Sequence, residues 1–89
     1  MPYIRQAFRK DYEKFIEEIP VRAMPGEITF MFYVILKKLS QDPVRGGLEN
    51  FASGAQVLGC LEAAKLEFYR REMAPYEDNA IEENGDVKV

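Results

Sequence analysis

Tyr69, Arg70 and Arg71, with Tyr76 five residues further on, are the side chains of this 89-residue chain best suited to chemistry. A guanidinium is a rigid fork of donors that matches a phosphate or a carboxylate, and a tyrosine ring can stack on a base. The four residues therefore suggest capture of a phosphate-bearing small molecule such as a nucleotide. A plainer alternative stays open: Glu67 and Arg71 stand four apart, the spacing of an ordinary surface ion pair worth a few tenths of a kcal/mol. No glycine-rich phosphate loop supports the nucleotide reading.

Glu62, Lys65, Tyr69 and Glu72 fall along one line of the same helix. If that line is buried its charges need partners, so one reading is a Glu–Lys–Tyr network that fixes the register of an oligomer. A catalytic Glu62 or Lys65 is the other, but no second polar cluster is placed to complete a site. Tyr3 and Arg5 are candidates to reach over a neighbouring subunit, against a flexible N-terminus as the default. The chain has no histidine and one cysteine, Cys60. That excludes a Cys/His nucleophile pair, a disulfide framework within the chain and the usual zinc sites. Cys60 reads as a buried small hydrophobe. Carboxylate sites for magnesium or calcium stay open, but no residues are spaced as a calcium loop, and neither a metal nor a cofactor is expected.

Three helices must position these groups. Phe8, Tyr12, Phe15, Ile16 and Ile19 make one helical stripe over about residues 6 to 19, closed by Pro20. Met24-Pro25-Gly26-Glu27 launches a second helix. Its apolar residues from Ile28 to Leu36 point all round, which predicts an element covered on nearly every side. A strand competes there because of the aromatic and β-branched content, but Lys37 and Lys38 suit a helix C-terminus. Asp42-Pro43 and Gly46-Gly47 mark a loop.

The third helix starts near the N-cap candidate Asn50 and is expected to end at about Met73, before Pro75. Val57, Leu58, Leu61 and Phe68 form one apolar strip on it, and Phe51, Ala55, Leu66 and Met73 a second; Gln56, Glu67, Arg70 and Ala74 face solvent. Two strips imply two packing partners, one of them in another subunit. Ala55, Gly59 and Ala63 would let a neighbouring helix approach closely, although Gly59 costs about 1 kcal/mol of helix propensity. Asn84-Gly85 is a hairpin-turn pair, so the C-terminal end is either a small hairpin or a frayed tail.

Composition narrows the function classes. The chain is 47% hydrophobic with six Phe and five Tyr, generous for one small domain. Residues 1–76 hold eleven Lys and Arg against ten acids, and residues 77–89 hold one against five. No basic stripe is present for duplex nucleic acid. The N-terminus lacks a signal-peptide core, and the apolar run is too short to span a bilayer. A cytoplasmic protein that does not enter membranes is expected.

With these residues in view, the chain resembles a family of short uncharacterised proteins of bacteriophages and prophages. The likeness lies in Met1-Pro2-Tyr3-Ile4, Pro25-Gly26-Glu27, Leu61-Glu62…Ala64-Lys65-Leu66-Glu67-Phe68-Tyr69-Arg70-Arg71, Ala74-Pro75-Tyr76-Glu77-Asp78 and Glu83-Asn84-Gly85-Asp86-Val87. Ile28-Thr29-Phe30 stands where the family has Leu-Asn-Tyr. The resemblance implies a viral context, hence the host cytoplasm, and no established activity. Small helical phage proteins include oligomers that sequester nucleotide signals of bacterial immunity, an analogy of size and setting.

The sequence therefore predicts an all-α, three-helix domain (1–76) with an acidic C-terminal extension (77–89), assembled as a homo-oligomer. Its expected role is non-enzymatic binding of a nucleotide-like molecule through Tyr69, Arg70, Arg71 and Tyr76, with Glu62, Lys65, Tyr3 and Arg5 nearby. The competing classes are a protein–protein regulator of a host protein and a small virion or assembly component.

Overall fold

Pro20 and Pro25 bracket the first change of direction, and each acts through its fixed φ and missing donor. In the computed structural model, which describes residues 2–47 and 50–89, an extended segment leads into α1 (Gln6–Arg9). A 3₁₀ turn (Lys10–Tyr12) and α2 (Glu13–Glu18) follow. Ile19, forced out of helical geometry by Pro20, has φ −64° and ψ 121° and ends α2. Met1, the first residue of the opening block quoted above, lies outside the described residues.

The apolar run forms α3 (Pro25–Ser40), which decides for helix over strand. Pro25 occupies the first turn, where its absent N–H costs nothing. The Met24 N–H donates to Glu27 Oε1 at 2.9 Å, and Lys37 and Lys38 sit in the negative last turn. In the loop, Asp42 Oδ1 accepts from the Val44 N–H at 3.0 Å and opens a 3₁₀ turn, Pro43–Arg45. Gly46 has φ +111°, and a Cβ there would run into the Asn50 side chain. Asn50 then caps the next helix, its Oδ1 accepting from Ala52 N–H at 2.8 Å.

That helix overturns the expected stop at Met73. It begins as α4 (Phe51–Phe68), widens into a π turn (Tyr69–Met73) and continues as α5 (Ala74–Asn84). Pro75 is accommodated because the π turn precedes it. Ala74 N–H bonds the Tyr69 carbonyl five residues back, and the extra residue makes room for a ring that would otherwise meet the turn below. Residues 77–84 are thus the end of a long helix, with no break at residue 76 and no strand among the described residues. Asn84-Gly85 makes no hairpin: Gly85, at φ +86°, closes the helix, its N–H donating to the Ile81 carbonyl at 2.7 Å.

α3 and α4 form a hairpin. At its closed end the Ser53 hydroxyl donates to the Ser40 carbonyl at 3.0 Å, and the Ser40 hydroxyl to Leu36 O at 2.7 Å. Ser53 and Val57 are 1% and 5% exposed, and Val57 is the buried hydrophobic residue among the described residues. The all-round cover expected for α3 is not supplied by its own chain, since Phe30 is 66% and Tyr33 61% exposed. The stripe of α1 and α2 is also about half exposed, and Cys60 is exposed, not buried.

The chain's accessible surface is 8368 Å², against about 5,400 Å² for a compact monomer of this mass. Its radius of gyration is 17.2 Å, where about 12 Å is usual for this length. No described helix is long and apolar enough to cross a membrane.

Candidate functional site

The π turn puts its two arginines to different uses. Arg70 Nε lies 2.5 Å from Glu67 Oε1, one turn back at i,i+3. Glu67, expected to face solvent, keeps only 17% of its side chain exposed. The Arg70 guanidinium holds its carboxyl below the usual carboxylate range against the opposing effect of partial burial, with Tyr3 and Arg71 adding to the pull. The same bond raises the Arg70 pKa. The expected Glu67–Arg71 pair is therefore a Glu67–Arg70 pair.

Arg71 turns to the opposite end of the chain. Its Nη1 donates to the Tyr3 hydroxyl at 2.8 Å, and its Cζ lies 5.7 Å from the Tyr3 ring centroid, within cation–π range. The hydrogen bond it donates to the Tyr3 hydroxyl is the chief cause of a raised Arg71 pKa. Among the described residues Arg71 forms no ion pair with a carboxylate. A guanidinium has five N–H donors, so most of its hydrogen-bonding capacity stays available.

Tyr3 is carried by the extended N-terminal segment, which lies along α4. Pro2 shares a shallow hollow with Ala55, Gly59 and Ala63. The N-terminus thus borders these small residues without packing onto Gly59, where an added Cβ would meet nothing within 4 Å. Arg9 Nε, donating to the Ile4 carbonyl at 2.9 Å, ties the segment to α1. Tyr3 therefore reaches a helix of its own chain, and no side-chain bond of Arg5 accompanies it among the described residues.

Tyr69 bonds across the π turn: its hydroxyl donates to Glu77 Oε2 at 2.7 Å. On a regular α-helix residues eight apart sit about 80° out of line; the wider turn takes up most of that offset. This hydrogen bond holds the phenol protonated, and repulsion between a phenolate and the Glu77 carboxylate adds to it, so the Tyr69 pKa is raised. Tyr76 is 73% exposed. The Glu62–Lys65–Tyr69–Glu72 line is not a buried network. Glu62 and Lys65 form an i,i+3 surface pair at 2.9 Å with both side chains more than half exposed, and Tyr69 looks away to Glu77.

The structure thus joins Tyr3, Glu67, Arg70 and Arg71 into one cluster and Tyr69 with Glu77 into a second beside it. Glu62, Lys65 and Arg5 stand apart from these bonds. Sequence reasoning missed Glu77 and the charged role of Glu67; the i,i+3 spacing from Glu67 to Arg70 was the available signal. Among the described residues no group of three His, Cys, Asp or Glu is placed to hold a metal ion.

Residues 1–87 match a family model whose description is Domain of unknown function (DUF6899). No curated protein and no solved structure matches the chain.

Proposed function

We propose that this chain, which belongs to the DUF6899 family, works by binding and not by catalysis, as a homo-oligomer that captures a phosphate-bearing small molecule, a nucleotide in the first instance. The observation that carries the reading is Arg71, a guanidinium oriented by Tyr3 and in no ion pair with a carboxylate among the described residues, although Glu67 and Glu72 lie near enough to raise its pKa. A phosphate would take the remaining donors of its fork, and Arg70, already neutralised by Glu67, would add little net charge. Tyr76, largely exposed two residues into α5, is the ring available to stack on a base. Assembly draws its support from an exposed surface about 3,000 Å² beyond that of a compact monomer. Obligate interfaces commonly bury about 2,000–5,000 Å² over both partners, or about 1,000–2,500 Å² on each. A phage or prophage setting, with sequestration of a nucleotide signal in the host cytoplasm, is the biological form of the proposal.

Thermal melting with a panel of nucleotides, with inorganic phosphate as comparison, tests it. A ligand at about 100 times its Kd stabilises the native state by about 2.7 kcal/mol. That shift is expected in the parent and lost in Arg71→Ala with the helical signal unchanged. A shift unaffected by Arg71→Ala, or no shift with any nucleotide, overturns the reading.

A second reading, engagement of a host protein, is favoured by Phe30 and Tyr33, whose rings on α3 are more than half exposed. Retention of one host protein on the parent but not on Phe30→Ser/Tyr33→Ser is its expected outcome.

A further inference from the structure

An open apolar groove of about 410 Å³ runs between α3 and α4, with Phe32, Ile35 and Leu39 on one wall and Val57, Cys60 and Leu61 on the other. We propose that the apolar face of α1 and α2 of a second copy fills this groove. The proposal rests on the assembly half of the function proposed above and adds which surface meets which.

Three observations point to that occupant. The stripe Phe8, Tyr12, Phe15 and Ile16 is 54–60% exposed on its own chain, yet its one-sided apolar pattern belongs to a helix packed along one face. The chain's own arm leaves the groove open, although Pro2 at its tip borders a hollow that shares Gln56 and Cys60 with it. The arm joins α3 at Pro25, the open end of the hairpin, and its tip is fastened to Arg71 by Tyr3, whereas Leu39 and Arg45 carry the groove toward the closed end at Ser40 and Ser53. Reciprocal exchange would cover an arm and a groove on each copy, and each chain's exposed surface in excess of a compact monomer is more than its share of such an interface requires.

Cys60, the chain's one cysteine, lines the groove and serves as the reporter. In Ile16→Cys, a short bismaleimide should join two chains into a band of twice the single-chain mass on a denaturing gel. That band should be absent from the parent and from Ile16→Cys/Cys60→Ser. Phe15→Cys provides a second position should the first variant fail to fold, and Ile16→Glu should weaken association at least tenfold by sedimentation. Any of three results overturns the proposal: a cross-link confined to one chain, a Cys60–Cys60 cross-link in the parent, or no cross-link in an oligomer that native mass spectrometry shows intact. A single subunit throughout overturns it together with the assembly reading. An interchain link in protein that takes up no nucleotide supports the exchange and overturns only the ligand reading.

Discussion

Arg71 Nη1 and the Tyr3 hydroxyl meet at 2.8 Å although 68 residues separate them in the chain. This contact orders the N-terminus and aims a guanidinium at once. Tyr3→Phe keeps the ring beside Arg71 and removes the oxygen. Nucleotide affinity is expected to fall about fivefold, the weight of one modest hydrogen bond, while the melting point without ligand barely moves. Isothermal titration beside Arg71→Ala checks the order, with the alanine variant the weaker.

Glu67 sets an acid limit. Its folded pKa is depressed, so its pairing with Arg70 contributes fully above the unfolded carboxyl pKa of about 4.3 and is lost as pH falls through the lower folded value. Glu67→Gln should flatten the fall of melting temperature with pH in that acid window. At neutral pH Arg70 would be released from its partner, so phosphate affinity should rise at low salt. Melting curves from pH 7 down to about pH 3 carry the comparison.

Pro75 and the π turn stand or fall together. Pro75→Ala restores a donor and removes the ring, so the helix can return to a regular ladder with a gain of about 1–3 kcal/mol by urea denaturation. Regular winding would pull Tyr69 out of line with Glu77. Tyr69 has a raised folded pKa, so that bond's stabilisation holds below about pH 10 and is lost as pH rises through the folded value. In Pro75→Ala the phenol, followed by NMR, should titrate earlier. An unchanged titration would separate the bond from the π turn.

Among the described residues of the α3–α4 loop, Gly46 is the strict position. Gly46 combines φ +111° with a Cβ direction blocked by Asn50, the cap of α4. Gly46→Ala should cost about 1–3 kcal/mol, the scale of a strained backbone residue. Gly47→Ala, with φ +75° and open space around it, should cost less. Denaturation of the two variants gives the ranking.

Local chemistry made much of the fold legible. Pro20 ends α2, Pro25 and Glu27 start α3, and Asn50 caps α4, because each works through its own φ, missing donor or side-chain oxygen. Pro75 misled because its effect depends on the preceding turn, and a π turn has no local sequence code; hence the long helix to Asn84 in place of a hairpin. Tyr69, Arg70 and Arg71 were recognisable as polar groups on one helix, but not their partners. Arg70 chooses Glu67 through rotamer and turn geometry, Tyr69 reaches Glu77 through the widened turn, and Arg71 meets Tyr3 only because the N-terminus lies along α4. Apolar periodicity likewise states which face seeks cover and not what covers it. The sequence by itself determined the helices and an excess of greasy surface, since both follow from residues a few positions apart. Which charge meets which carboxylate or phenol, and which faces stay bare, only the tertiary structure decided, because those relations depend on how distant segments lie in space.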